Sequence, residues 1–226
     1  MTGKIKLVHS GGNSVSVAVP TNAPSASEVE FKLPQADGTS GQRIVTDGSG
    51  NLSFASAGAS GKILQVKQAV KTDTSSTANF GWVTIPGTDE TGSGSLFEVN
   101  ITPAATSSKI LVTWGIHLSV ASSVYSGGLK LRRDSTDLFI GDTSSSRTRA
   151  SNWAVGWSSY ANRHPWFLGG TFLDSPNTTS QVTYQIQYTS GYNSYTVYVN
   201  RPHSLWADTS AVGLTPSSIT CQEVAA

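Results

Sequence analysis

The residues best suited to chemistry in this sequence are aromatic side chains in two polar segments. Residues 151–167 read SNWAVGWSSYANRHPWF, and residues 190–199 read SGYNSYTVYV. Tyrosine and tryptophan bury a large area at low entropic cost, and their rings can stack on sugars while neighbouring polar groups bond the hydroxyls. The alternative is that these rings fill a core or a subunit interface. The aromatic candidates for contact with a receptor or glycan are Trp153, Trp157, Tyr160, Tyr192 and Tyr195.

A long polar loop lies just before the first of these segments. Residues 142–152 read DTSSSRTRASN and include Arg147 and Arg149. Most loops of this kind are only solvated, but a long loop in a compact β domain is sometimes a binding loop. We therefore add Arg147 and Arg149 to the candidate contacts.

Catalytic and metal chemistry has little support in the sequence. The four histidines are never two or four residues apart, so they form no local metal pair. The carboxylates are scattered, and no local pattern proposes the facing pair that a glycosidase needs. No nucleophile elbow, Walker loop or dinucleotide fingerprint occurs. Cys221 has no base nearby and is expected to be a small strand side chain. We expect a protein that is not an enzyme and that has no cofactor or metal.

The composition excludes several partner classes. The 226 residues carry a net charge of +1, and only 13% are charged. The basic residues are scattered, which disfavours a nucleic-acid partner. The first residues, MTGKIKLVHSGGNS, lack the apolar core of a signal peptide, and no run is long enough to insert in a membrane. One cysteine forms no intrachain disulfide, which suits assembly in a reducing cytoplasm.

The elements that must position these residues are β-strands. Short runs rich in Val, Ile, Thr, Tyr and Phe alternate with Gly, Pro, Asn, Asp and Ser, and no helical period is sustained. The small-residue segment ASAGASG, residues 55–61, predicts a boundary between an N-terminal module (1–60) and a C-terminal head (61–226). The head has about eight to ten predicted strands without helical crossovers, including 138–142. This pattern predicts an all-β fold with a jelly-roll-like antiparallel β-sandwich head.

The N-terminal module has too few large apolar residues for a core of its own. Sixty residues bury little surface, and this module has no metal or disulfide to reinforce it. Alternation in SVSVAV and VEFKL nevertheless specifies one buried face. TDGSGN, residues 46–51, is typical of a tight turn between strands. We therefore predict an intertwined β shaft or docking base in a homotrimer. Its expected subunit contacts are Val15, Val17, Phe31, Leu33, Leu52 and Phe54.

The same module resembles the N-terminal module of structural proteins from tailed phages, particularly those of marine bacteria and cyanobacteria. The resemblance lies in FKLPQADG (31–38) and GQRIVTDGSGNLSF (41–54). It covers roughly the first quarter of the chain, and the rest is similar, with a weaker signal, to the β-sandwich heads of such proteins. Arg43 and Ile44 depart modestly from the pattern.

The resemblance implies a virion protein that contacts itself and other virion proteins. The expected function is a trimeric tail or head fibre that attaches the particle to the host surface, with a host glycan as a possible ligand. One alternative is a capsid decoration or cement protein without a receptor. Another is a carbohydrate-binding or glycan-hydrolysing module.

Overall fold

The computed structural model describes residues 4–18, 22, 28–56, 61–121, 125–156, 165–202 and 213–226. Within these ranges all regular elements are β-strands, which confirms the predicted all-β class. No helix in the described ranges has the length and apolar character needed to cross a membrane. The chain divides into two compact units, Met1–Gly58 and Ala59–Ala226.

The first unit consists of two hairpins. They are formed by β1 (Lys4–Val8) with β2 (Ser14–Ala18), and by β3 (Gln42–Thr46) with β4 (Leu52–Ser56). The strand predicted around VEFKL is reduced to a single parallel bridge between Lys32 and Asn51. The Lys32 N–H donates to the Gly50 carbonyl at 2.9 Å, and the Leu52 N–H donates to the Lys32 carbonyl at 2.8 Å. The second hairpin is therefore widened by one short segment of its own chain.

The predicted turn in this hairpin is confirmed. Oδ1 of Asp47 accepts the N–H groups of Ser49 at 2.8 Å and Asn51 at 3.2 Å. Gly50 has a φ of +87°, and a Cβ there would lie 2.4 Å from the Glu30 carbonyl oxygen. Glycine is thus required both by the left-handed backbone and by the close approach of the neighbouring segment.

The second unit contains twelve strands that lie in two layers. They are β5 (Ile63–Lys71), β6 (Ser75–Thr77), β7 (Val83–Thr84), β8 (Glu98–Ile101), β9 (Lys109–Val120), β10 (Ser126–Arg133), β11 (Thr136–Leu138), β12 (Asn152–Val155), β13 (Trp166–Asp174), β14 (Val182–Ser190), β15 (Val197–Val199) and β16 (Ser217–Val224).

Where two strands lie end to end beside the same neighbouring strand, we count them as one position in the sheet. Each layer is then four positions wide. Layer A runs β5/β6, β16/β15, β9, β13, and layer B runs β7/β8, β14, β10, β11/β12. All of these pairings are antiparallel. We number the eight positions in chain order, from β5/β6 as position 1 to β15/β16 as position 8. Across layer A the positions then run 1, 8, 3, 6, and across layer B they run 2, 7, 4, 5. This interleaved order is that of a jelly roll, as predicted.

The core lies between the two layers and is dominated by β9. Alternate residues of this strand point inward and are at most 2% exposed: Ile110, Val112, Trp114, Ile116, Leu118 and Val120. Layer B meets them with Leu129, Leu131, Tyr184, Ile186 and Tyr188. Each such side chain contributes about 1.5–3 kcal/mol when it leaves water.

The predicted strand at 138–142 is wrong beyond Leu138. Phe139 has a left-handed φ of +47°, which ends the extended backbone. Its ring packs at 5.7 Å from the ring of Trp114 and at 5.7 Å from that of Phe172. Phe139 therefore packs against the rings of Trp114 and Phe172 instead of continuing β11.

Candidate functional site

Four connections meet at one end of the sandwich. They join β6 to β7, β9 to β10, β12 to β13, and β14 to β15, because the register places the adjoining strand ends side by side. Backbone bonds tie the described parts of these connections together. The Gly156 N–H donates to the Tyr125 carbonyl at 2.7 Å, and the Ala121 N–H donates to the Thr196 carbonyl at 3.1 Å. Several separate segments therefore form one surface, which we call the loop end.

Three tyrosines cluster at the loop end. Tyr125 precedes β10, whereas Tyr192 and Tyr195 belong to the β14–β15 connection. The rings of Tyr125 and Tyr195 stack at a centroid distance of 3.5 Å and an interplanar angle of 23°. Tyr192 meets Tyr125 edge-on at 5.6 Å. Tyr192 is 54% exposed and Tyr195 is 40% exposed, so the cluster offers aromatic surface to solvent.

Hydrogen bonding and close packing restrict the backbone conformation around the tyrosine cluster. Oγ of Ser190 donates to the Tyr192 carbonyl at 2.7 Å, and Ser194 adopts a φ of +71°. Gly191 lies against the start of β10, where a Cβ would come within 2.0 Å of Oγ of Ser126. The path of the chain into Tyr192 therefore depends on a residue without a side chain.

The Tyr125 phenol stays protonated around physiological pH. The hydrogen bond with the Tyr195 hydroxyl, followed by desolvation, raises the pKa of the Tyr125 phenol. A protonated phenol both donates and accepts hydrogen bonds, and its ring provides a flat apolar face. These are the properties that contact with a neutral sugar requires.

A second aromatic surface lies on the outer face of layer B. The Trp153 ring lies over Gly128, where a Cβ would come within 2.4 Å of it, and the Trp82 ring borders the same glycine. Nζ of Lys130 lies 4.5 Å from the centre of the Trp82 ring and bonds Oδ2 of Asp137 at 2.9 Å. Trp153 is 38% exposed, so part of its ring is available for contact.

The other predicted contact residues are not brought to the loop end, or are not described. Arg147 and Arg149 are exposed on the loop between β11 and β12, where Nε of Arg149 donates to the Gly141 carbonyl at 2.6 Å. That loop returns to the sheet beside Leu129, part-way along β10. Trp157 and Tyr160 lie outside the described residues.

Tyr125 and Trp82 were missed as contact residues in the sequence. Tyr125 is a lone aromatic residue in a stretch of small and polar residues, and Trp82 stands within an apolar run that indicated a core position. The sequence feature that could have indicated a contact role for Tyr125 is its position just before a predicted strand that begins with glycines. Only the strand register shows that it meets the predicted Tyr192 and Tyr195.

The first unit presents apolar side chains to solvent. Among its described residues none is buried, and nine large apolar side chains are exposed. They are Ile5, Leu7, Val8, Val17, Val29, Phe31, Leu33, Ile44 and Phe54. Three predicted subunit contacts stand out here, with Val17 at 67%, Phe31 at 65% and Leu33 at 81% exposure. Leu52 is half-buried, and the side chain of Val15 lies outside the description.

Asp174 and Glu90 in the second unit have structural partners. Asp174 accepts from Arg133 at 2.5 Å and from the Tyr184 hydroxyl at 2.6 Å. Burial and this bond to Asp174 raise the pKa of Tyr184. Glu90 accepts the Asn100 N–H at 2.8 Å and pairs with Lys67 at 3.3 Å. Within the described ranges, no group of three or more His, Cys, Asp or Glu side chains could hold a metal ion.

Comparisons with known proteins add little to this picture. No protein-family model matches the chain. No curated protein matches it either. Among solved structures, a mutant VP2 protein of infectious bursal disease virus, in derived T=1 particles, matches with a TM-score of 0.35 and 13% identity. The structure of the Gx strain of that virus matches with a TM-score of 0.33 and 14% identity.

Those two matches cover 94% and 95% of this chain but only 46% of the viral chain in each case. This chain thus spans less than half the length of the proteins that it matches. At these TM-scores the likeness supports no conclusion about fold or function. The jelly-roll assignment above depends on the strand order alone.

Proposed function

We propose that this protein is a structural component of a virus particle: a homotrimeric fibre of a tailed phage that attaches the particle to the host surface. The observation that carries the proposal is the exposed apolar surface of the first unit. Nine large apolar side chains in contact with water are unfavourable for a free monomer, but they supply an interior once sister chains cover them. The resemblance of residues 31–54 to phage modules supports the same conclusion.

The head supplies the attachment function in this proposal. The loop end presents Tyr125, Tyr192 and Tyr195 on connections between rigid strands, which is where binding residues commonly lie. Aromatic rings beside backbone amides, with no charged side chain among the described contacts of the three tyrosines, favour a neutral glycan over a charged polymer. Trp153 on the outer face of layer B would extend the contact along a longer glycan chain.

Two measurements on the full chain test the proposal. Sedimentation equilibrium at micromolar concentration is expected to give three times the chain mass, and a cryo-EM map of whole particles is expected to place the chain at a fibre. A single-chain mass would overturn the trimer.

The attachment function needs its own experiment. Tyr192→Ala is expected to weaken binding on a glycan array at least tenfold, because an exposed stacking surface is lost. Thr136→Ala, an exposed change on β11, is the matched control and should bind like the unmodified protein. Equal binding by both variants would contradict a role for the loop end.

A cement protein is the second candidate, because exposed apolar surface also suits a protein that covers a capsid. The distinguishing result comes from particles that lack this chain. If they adsorb to cells normally but burst under osmotic stress, the chain is a cement protein. If they remain intact but fail to adsorb, it is an attachment fibre.

A further inference from the structure

The outer face of layer A differs from the outer face of layer B. Layer B carries Glu98, Lys130, Arg132 and Asp137 on its outer side. At the corresponding positions of layer A, from Val66 to Val70 and across the sheet to β13, the sequence has no Asp, Glu, Lys or Arg. A solvated sheet face normally bears charged residues, as layer B does.

Large apolar side chains occupy this uncharged face. Val66 is 57% exposed, Val70 is 44%, Leu173 is 47% and Phe167 is 65%. The Phe167 ring lies over Gly115, where a Cβ would come within 2.6 Å of it, and beside Gly169, where a Cβ would come within 3.1 Å. These two glycines are paired on β9 and β13 and leave room for the ring.

Between the apolar residues runs a row of short polar side chains. Strand register places Gln68, Thr220, Thr113 and Thr171 side by side across all four positions of the layer. Hydroxyl and amide groups both donate and accept hydrogen bonds. Such a row can pair with an identical row, and it has no charge with which to select a charged partner.

The size of the face fits the head's share of a subunit contact. Four strands about 4.8 Å apart and the seven rows from Leu111 to His117, of about 3.4 Å each, give a flat area of roughly 460 Å². A stable interface buries about 800 Å² of accessible surface on each partner, and side-chain relief makes accessible area larger than flat area.

We propose that the outer face of layer A is covered by a sister copy of this chain. This inference rests on the oligomer proposed above and extends it from the first unit to the head. It assigns the contact to the face with Val66, Thr113 and Phe167, and it leaves the loop end and the outer face of layer B free for other partners.

Thiol labelling of the full chain tests this assignment with a matched pair of variants. Val66→Cys and Val155→Cys replace valines of nearly equal exposure, 57% and 54%, on opposite outer faces. The native Cys221 is fully buried, so each folded variant has one accessible thiol. In the native oligomer we expect Val66→Cys to react with a maleimide at least tenfold more slowly than Val155→Cys, and both should react equally in urea.

A charge at the centre of the face provides a second test. Thr113→Arg, added to Val66→Cys, is expected to restore fast labelling, because the guanidinium cannot be covered without a partner. The same change added to Val155→Cys should leave its rate unaltered.

The outcomes separate this inference from the proposed function. Equal native rates in a multi-chain species would overturn the face assignment and leave the oligomer standing. Equal rates in a single-chain species would overturn both. A protected Val66→Cys variant with a single-chain mass would show that the same chain covers the face, which also contradicts the inference.

Discussion

Individual residues in the head are held by buried polar contacts, and Glu223 shows their consequence most clearly. This carboxylate is fully buried on β16, where it accepts from Nε2 of Gln65 at 2.6 Å and from the Ala104 N–H at 2.7 Å. Burial opposes its ionisation, but these bonds and one from Ser108 outweigh burial and lower the pKa. The native state therefore favours the charged form more than the unfolded state does.

This difference predicts a pH dependence of stability. Because the folded pKa is below the unfolded value, the stabilisation by Glu223 is fully present above the unfolded pKa of about 4.5 and is lost as pH falls through the folded pKa. Glu223→Gln is expected to cost about 1–3 kcal/mol at pH 7. It should also flatten the fall of the urea midpoint below pH 5, measured at constant protein concentration.

Glu98 provides a control of opposite sign. Burial, and then the charges of Asp89 and Glu90, raise its pKa. Its charge therefore weakens the fold above the raised pKa, and that weakening is relieved as pH falls. Glu98→Gln should leave stability at pH 7 unchanged or raise it, and a loss as large as that of Glu223→Gln would contradict this electrostatic account.

Gly191 gives a steric prediction at the same scale. A Cβ there would meet both Oγ of Ser126, at 2.0 Å, and the Ser126 carbonyl, at 2.9 Å. Gly191→Ala must push β10 and β14 apart, at an expected cost of about 1–3 kcal/mol. Gly141→Ala has no atom within 4 Å of the new Cβ and should stay within about 0.5 kcal/mol of the unmodified chain in urea denaturation.

At the scale of elements, strands with two-residue alternation were predictable from the sequence. The segments that became β9, β14 and β16 alternate between apolar and other residues, because one face of each lies in the core. β5 also alternates, but its Val66 and Val70 lie on the exposed face. β13, with the sequence WFLGGTFLD, does not alternate. β6 was missed because SST carries no apolar signal. β12 was missed because its inward side chains are Asn152 and Ala154, while its largest residue, Trp153, points outward.

The tyrosine cluster was only half predictable for a related reason. Tyr192 and Tyr195 stand in one short loop and are recognisable together. Tyr125 comes from a connection nearly seventy residues earlier in the chain, and no local pattern links it to them. The pairing of β9 with β15 and of β10 with β14 brings the connections together. Such long-range pairing is not encoded in any short stretch.

Trp114 links β9 to two further strands and gives a prediction for these elements. Its Nε1 donates to Oδ1 of Asn152 on β12 at 2.9 Å, and Nδ2 of Asn152 donates to the Gly169 carbonyl on β13 at 3.1 Å. Trp114→Phe keeps an aromatic ring but leaves the Asn152 oxygen without this donor. We expect a loss of about 1–3 kcal/mol in urea denaturation.

Asn152→Leu tests the same link from the other side. It removes the acceptor and the donor together, so the double variant with Trp114→Phe should cost clearly less than the sum of the two single changes. Additive losses would contradict an energetic link between the three strands.

At the scale of the whole molecule, the sequence showed that the first unit has few large apolar residues, but it did not show which of them are exposed. The scarcity of large apolar residues in the first sixty positions was readable directly. Their exposure could be established only with the hairpins in place, since Leu52 turned half-inward whereas Leu33 is 81% exposed. The uncharged outer face of layer A is not recognisable in the sequence, because its residues are spread over four strands distant in sequence.

The exposed apolar side chains of the first unit lead to a prediction about assembly. Leu33→Asp places a charge where a sister chain is expected to bury an apolar side chain, and an unpaired buried charge is strongly unfavourable. We expect the variant to shift from three chains toward one at micromolar concentration in sedimentation equilibrium. Leu214→Asp is the matched control, because Leu214 is also highly exposed, at 63%, but belongs to the second unit. If both variants keep the mass of the unmodified protein, Leu33 is not buried by a sister chain. If both dissociate equally, added charge alone is responsible, and the first unit has no special role in assembly.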